Sequence, residues 1–187
     1  MTTTHLAEGQ AGRVTRQKAD AIRYSVQTCS LGLALVATSD KGVCSLWFGD
    51  DPYQLRDELR ARFRNAALIE ANDDRDNLMG AALALIEAPA SPISFPIDAR
   101  GTPFQRRVWE ALRAVPPGKT ASYADIARAI GAPTATRAVA GACAANPVAI
   151  AIPCHRILRS DGALSGYRGG VERKRALLAR EGVSVPD

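Results

Sequence analysis

Beyond residue 20 the apolar positions of the chain gather into short, closely spaced runs. AIRYSVQT (residues 21–28), GLALVATS (residues 32–39) and GVCSLWFG (residues 42–49) are rich in β-branched and aromatic residues. Gly32 and the Asp40-Lys41-Gly42 stretch punctuate them, which predicts a hairpin-connected sheet. The period then changes. Asp51-Pro52 is a favourable helix start, with Asp as cap and Pro in the first turn, and Leu55, Leu59 and Phe63 recur every fourth residue on one face. A second helix, rich in Ala and Leu, is predicted over residues 77–87. Pro89, Pro92 and Pro96 interrupt the next stretch of chain, so ISFPID is restricted to an edge strand or an extended linker. Residues 1–20 are polar and aperiodic, as expected of a disordered tail.

The remainder reads as helical. Thr102-Pro103 opens a helix carrying Phe104, Val108 and Leu112 on one face, with Trp109 beside them, and Pro116-Pro117-Gly118 ends it. Ser122 caps a short helix over residues 123–130, closed by Gly131, and another runs from Thr134 to Ala145. Two short helices joined by a tight turn fit a helix-turn-helix or an ordinary helical hairpin, and the outline alone leaves both open. The body of the second is Thr, Ala, Val and Gly with one Arg, and such small side chains permit close approach to another surface. The apolar run VAIAI (residues 148–152) predicts a buried strand that stops at Pro153-Cys154-His155-Arg156.

Composition sharpens this into two parts. Residues 1–99 hold 10 Lys/Arg against 13 Asp/Glu, whereas residues 100–187 hold 14 against 6, within a total of +5. A basic half of this kind suits a polyanion or a solvated basic surface. With the composition shift at residues 88–101, it suggests an α/β domain over 21–95 and a mostly helical one over 96–187. No apolar stretch is long enough for a membrane span or a signal core, so a cytoplasmic location is expected. The four cysteines, Cys29, Cys44, Cys143 and Cys154, form no C-x-x-C pair and are expected as free thiols without a zinc site; Cys29, Cys44 and Cys143 are expected to be buried and inert.

Pro-Cys-His-Arg is the segment that invites chemistry. A thiol becomes a nucleophile as thiolate, and a neighbouring base or positive charge promotes that form. Adjacent side chains on a strand point to opposite faces, so either the chain turns at Cys154-His155 or the His reaches the thiol through a water. A buried Cys beside a surface His is the alternative.

Ile152-Pro153-Cys154-His155-Arg156-Ile157 resembles the active-site signature of the O6-alkylguanine-DNA alkyltransferases, the methylated-DNA–protein-cysteine methyltransferases. The likeness extends from Thr102-Pro103-Phe104 through Gly118-Lys119-Thr120-Ala121-Ser122-Tyr123, Arg137-Ala138-Val139, Ala145-Asn146-Pro147 and Ser165-Gly166-Tyr167-Arg168-Gly169-Gly170 to Leu177-Leu178-Ala179-Arg180-Glu181-Gly182. Ala142-Cys143-Ala144-Ala145-Asn146 and Arg168 are most similar to the C-terminal half of bacterial Ada proteins. The resemblance implies a small ribonuclease H-like sheet with helices, followed by a mostly α, winged-helix-like domain with a helix-turn-helix. It also implies direct repair: the alkyl group of O6-alkylguanine, and of O4-alkylthymine, moves from duplex DNA to the protein's own cysteine in one irreversible turnover.

By the same resemblance, Cys154 is nucleophile and acceptor, His155 a water-mediated base, Glu181 its orienting carboxylate, Asn146 an active-site hydrogen-bond donor and Tyr123 a donor to the guanine. Arg137 is the finger that fills the base stack after flipping, with Thr136, Ala135, Ala138, Ala142 and Ser122 at the DNA. Pro153, Tyr167, Arg168, Gly169 and Ser165 line the base pocket. The expected partner is double-stranded DNA carrying alkylated guanine. No cofactor, metal, membrane or obligate protein partner is expected, and the protein is expected to be a monomer.

Two positions depart from the commoner family pattern. Arg168 replaces a Ser beside the base, leaving its side chain to reach a phosphate. Gly169 replaces a Trp, implying a roomier pocket that accepts benzyl as well as methyl. A chain of this length is expected to lack the additional Ada modules and their regulatory role. Other readings are a lesion-binding alkyltransferase-like protein, which would lack the acceptor Cys; a helix-turn-helix regulator; and a Cys-His hydrolase, which would need an oxyanion hole.

Overall fold

The computed structural model describes residues 21–71 and 77–185. The expected tail, residues 1–20, lies outside them. Strands β1 (Ala21–Cys29), β2 (Gly32–Ser39) and β3 (Gly42–Gly49) form the antiparallel meander that the hairpin signals predict. Gly32 and Gly42 sit at positive φ at the two turns, where an L side chain is strained. Helix α1 (Pro52–Arg62) comes next, with the Asp51 carboxylate accepting from the Tyr53 N–H. A fourth strand, β4 (Ala67–Glu70), pairs parallel to β1 and completes the order β3-β2-β1-β4. The sequence did not predict it: four mostly exposed edge residues carry no apolar alternation. Helix α2 (Leu78–Glu87) then packs on the sheet.

Side-chain alternation divides the sheet into two apolar faces. Ile22, Leu35, Ala37 and Trp47 meet Leu55 and Leu59 of α1. On the other face Ala34, Val36, Leu46 and Phe48 join a larger core with Ala82 and Ile86 of α2. That core continues into helices α3 (Pro103–Arg113), α4 (Tyr123–Ala129), α5 (Thr136–Ala144) and α6 (Val171–Arg180) through Val108, Leu112, Ile126, Val139 and Leu177. One apolar core thus spans the chain position at which composition and charge change. Burial on both faces explains why β3 reads as a continuous apolar run.

The outer edge of β3 is covered by the second half. Val43 bonds Pro96 and Asp98, and Leu46 bonds Pro147 and Ala149, at 2.9–3.0 Å. ISFPID is therefore an extended segment against an edge, as its prolines required. The 148–152 run is not the expected strand. Val148 and Ala149 pair with the β3 edge, and the chain then reverses through Ile150 at φ +68°, closed by Ile152 N–H to the Val148 carbonyl at 3.0 Å. Apolarity reports burial here, and burial is achieved by a tight loop. Helix α5 begins two residues later than expected, with Ala135 at its N-cap. Strands β5 (Ala121–Ser122) and β6 (Ile157–Leu158) form a two-residue parallel pair.

Candidate functional site

The chain turns at the Cys-His pair. Cys154–Arg156 form one turn of 3₁₀ helix between the Ile150 loop and β6, and all three side chains are buried. His155 is fully buried, so the surface-His alternative is excluded. The loop is held from beneath by Asn146, just past the end of α5. Its Oδ1 accepts from the Val148 N–H at 3.0 Å, while Nδ2 donates to the Ile152 carbonyl at 2.7 Å and to Cys154 Sγ at 3.1 Å. The backbone partners admit only this amide orientation, so the bond to sulfur is directed N–H to S. Burial raises the Cys154 pKa, opposed by the Asn146 bond and by the positive charge of Lys174.

Behind the thiol, His155 Nε2 lies 3.0 Å from Glu181 Oε1, just beyond the end of α6. Both side chains are fully buried. Burial raises the Glu181 pKa, but bonds from His155 and Arg156 outweigh it and bring it down to about 2. A carboxylate only accepts, so Nε2 carries the hydrogen and Nδ1 keeps its lone pair. Nδ1 is buried and has no hydrogen-bond partner among the described residues. Burial lowers the His155 pKa against the pull of Glu181, which favours neutral imidazole. The arrangement is an oriented base on the residue that follows a thiol.

A pocket of about 400 Å³ opens onto Cys154. Tyr123, Ala140, Cys143, Ala144, Ser165, Gly166, Tyr167 and Arg168 line it. Tyr123 Oη and Ser165 Oγ are hydrogen-bonded at 2.7 Å, and the Tyr167 hydroxyl is buried without a partner among the described residues. Beside the pocket, α5 turns one face outward: Arg137, Ala138, Gly141 and Ala144 are exposed. Arg137 has no partner among the described residues. A Cβ on Gly141 would meet nothing within 4 Å, so this face is smooth and open.

These features converge with the relationships of the chain to known proteins. The sequence profile described as "6-O-methylguanine DNA methyltransferase, DNA binding domain" matches residues 103–183. The inducible methylated-DNA–protein-cysteine methyltransferase of Bacillus subtilis is 39% identical over 147 residues, which are 78% of this chain and 82% of that protein. The chain belongs to the methylated-DNA–protein-cysteine methyltransferase family. The bifunctional transcriptional activator/DNA repair enzyme Ada of Escherichia coli is 48% identical over 161 residues, 86% of this chain. Those residues are 46% of Ada, so the chain spans less than half the length of this relative. The crystal structure of the Mycobacterium tuberculosis protein OGT in complex with DNA superimposes with a TM-score of 0.71 at 34% identity, covering 85% of this chain and 92% of that one.

Within this chain several sequence-predicted residues gather around the thiol: Asn146, Tyr123, Ser165 and Tyr167, while His155, the next residue, is paired with Glu181. Others stand differently. Ala142 is buried and its carbonyl accepts from Trp109 Nε1 at 2.8 Å, so it faces the core, and Gly141 takes the outward position expected of it. The Ser122 hydroxyl is engaged in a capping box with Asp125. Ala135 is the N-cap of α5, and Thr136 and Ala138 lie in its first turn. Arg168 is exposed, and its guanidinium lies over the Trp47 ring at 4.3 Å and pairs with Glu58. Gly169 is not open space, because a Cβ there would lie 3.0 Å from the Tyr167 ring and 3.1 Å from Phe48. Cys29 is half-buried, not buried.

Two further residues carry the site, and the sequence did not single them out. Arg156 clamps Glu181, Nε to Oε2 at 3.0 Å and Nη2 to Oε1 at 2.8 Å, and also donates to the Val115 carbonyl. Lys174 is fully buried on α6, with Nζ donating to the Ile157 carbonyl and to Ser165 Oγ. Arg156 was legible as the cation adjoining Cys-His. Lys174 looks like one of four cations on a surface helix, and only packing shows otherwise. Among the described residues no group of three or more His, Cys, Asp or Glu is placed to hold a metal.

Proposed function

We propose that the protein repairs DNA by moving the alkyl group of O6-alkylguanine, and of O4-alkylthymine, onto Cys154. The observation that carries this reading is Cys154 lining a pocket beside an open α5 face, with Asn146 bonded to its sulfur and the His155–Glu181 pair buried behind it. His155 Nδ1 draws the thiol proton through a water, and Glu181 steadies the imidazolium that results. The thiolate attacks the alkyl carbon: the S–C bond forms, the C–O6 bond breaks and its electron pair goes to O6. The guanine anion then takes a proton from donors around it, with Tyr123 placed to serve. The thioether is stable, so each chain acts once.

The target carbon lies within a duplex, and its nucleotide must be turned out to meet the pocket. Helix α5 is taken to enter the minor groove, where Ala138, Gly141 and Ala144 allow close approach and Arg137 fills the emptied stack. Helices α4 and α5 are then a helix-turn-helix, the residue 96–187 unit is winged-helix-like and the residue 21–95 unit is a ribonuclease H-like support. The Pro153, Tyr167, Arg168 and Gly169 backbone and the Tyr167 hydroxyl face the base. The protein is taken to act as a cytoplasmic monomer without a cofactor or obligate protein partner; no helix among the described residues is long and apolar enough to cross a membrane.

The test is label transfer. Duplex DNA carrying radiolabelled O6-methylguanine should load one methyl per chain, and Cys154→Ala should load none. Repeated turnover, or no label on the wild-type protein, overturns the reading.

A further inference from the structure

Among the described residues Lys174 presents a buried ammonium without a carboxylate partner. Its Nζ donates to two neutral acceptors, the Ile157 carbonyl and Ser165 Oγ, the latter at 2.9 Å. The buried carboxylate of the site, Glu181, is taken up by His155, Arg156 and the Gly118 N–H. A buried cation left with neutral partners is costly unless a counter-charge forms nearby. The acidic groups that act on it are the thiols Cys154 and Cys143, and Cys154 is the one at the reactive floor.

The Lys174–Ser165 hydrogen bond also has a fixed direction. Ammonium only donates, so Ser165 Oγ accepts from Lys174. The Ser165 hydrogen then has two acceptors, Tyr123 Oη at 2.7 Å and the Ile157 carbonyl at 3.5 Å, and the shorter contact favours Tyr123. When Tyr123 accepts from Ser165, its own hydrogen is left for the pocket. A chain polarised from one end in this way strengthens each donor along it.

We propose that Lys174 is a positioning residue for the alkyl transfer: its buried charge favours the Cys154 thiolate and, through Ser165, aims the Tyr123 hydroxyl at the purine. This rests on the transfer activity proposed above. Burial pulls the Lys174 pKa down to about 8 while Cys154 and Cys143 pull it up, as a thiol–ammonium pair requires. The other titratable groups around it are His155 on the 3₁₀ turn and Tyr123 on α4.

Coupling between the two charges must be reciprocal, which gives a test in the unmodified chain. The protein has four lysines, so ¹³Cε-lysine spectra can follow the Lys174 titration before and after Cys154 is alkylated with iodoacetamide. Capping the sulfur should lower the Lys174 midpoint by about one unit or more; an unchanged midpoint overturns the proposal. In Lys174→Met, the pH–rate profile of carboxamidomethylation at Cys154, mapped by mass, should move up by a similar amount and the rate at pH 7 should fall about tenfold. A folded variant with the wild-type profile overturns it; if the variant does not fold, the wild-type titration decides. Neither measurement uses DNA. Coupling without label transfer from O6-methylguanine sinks only the proposed activity, and label transfer without coupling sinks only the role of Lys174.

Discussion

Arg156 holds Glu181 with two nitrogens at 3.0 and 2.8 Å, on the carboxylate whose Oε1 meets His155 Nε2. The residue next to the base therefore fixes the carboxylate that orients the base. Removing one partner of a buried pair leaves an uncompensated charge, which typically costs about 3–5 kcal/mol. Arg156→Met should destabilise the fold on that scale in urea unfolding. In whatever remains folded, the Glu181 pKa should rise and methyl transfer should slow by about tenfold or more. Arg156→Lys should rescue only in part, because a single ammonium does not reproduce the bidentate fork.

The same buried cluster sets the acid limit of the fold. Glu181 is held at about 2 against an ordinary 4.5. Its contribution, about 3 kcal/mol from the linkage relation, is complete above pH 4.5 and is lost as pH falls toward 2. His155 acts in the same direction: buried and neutral, with its pKa below 6.5, it resists a proton that the unfolded chain accepts. Stability should therefore decline from about pH 6.5 downward and more steeply below 4.5. Glu181→Gln should be less stable at pH 7 and show a flatter decline between pH 4.5 and 2, measured by denaturant midpoints across that range.

These dependencies show what the sequence discloses and what it withholds. Strands β1 to β3, α1 and the capped starts of α3 and α4 were legible because local rules decide them: Gly turns, Asp51-Pro52 and the Thr102 and Ser122 caps. The 148–152 run misled because apolarity records burial, and the Ile150 reversal is imposed by pairing with β3. Charge misled in the same manner. Arg156, Arg173, Lys174 and Arg180 swell the basic half, yet each is turned inward onto carbonyls, hydroxyls or carboxylates. Arg173 ties Leu31, Gly169 and Asp50 together, so part of the basic excess binds the two halves of the chain to each other. Glu181 and Cys154 are distant in sequence, and only the family resemblance joined them in advance.

The exposed face of α5 separates DNA engagement from thiol chemistry. Arg137 makes no hydrogen bond or ion pair within the described protein, so Arg137→Ala should leave the melting temperature within about 1 °C. If Arg137 is the proposed finger, its loss should slow methyl transfer from duplex DNA by about a hundredfold while leaving carboxamidomethylation of Cys154 unchanged. Gly141→Leu supplies the complementary case, since a side chain there meets open space. It should fold normally and weaken DNA binding in gel-shift titrations. Equal loss in duplex transfer and in small-molecule thiol reactivity would remove the minor-groove role of this face.

Pocket size makes the last prediction specific. Gly169 was expected to provide room, but Tyr167 and Phe48 already fill the space where its side chain would lie. The roughly 400 Å³ pocket is instead bounded by the small residues Ala140, Cys143, Ala144 and Gly166, beside Cys154. A benzyl group should therefore be accommodated against α5, and free O6-benzylguanine should inactivate the protein stoichiometrically. Ala140→Leu or Cys143→Met narrows that wall and should abolish benzyl transfer while methyl transfer falls less than about tenfold, the scale of about one misplaced methylene or two. Gly169→Ala tests the other wall: it presses on the Tyr167 ring at 3.0 Å, so it should slow both substrates together. Selective loss of benzyl transfer in Gly169→Ala, with Cys143→Met neutral, would assign the room to Gly169 after all.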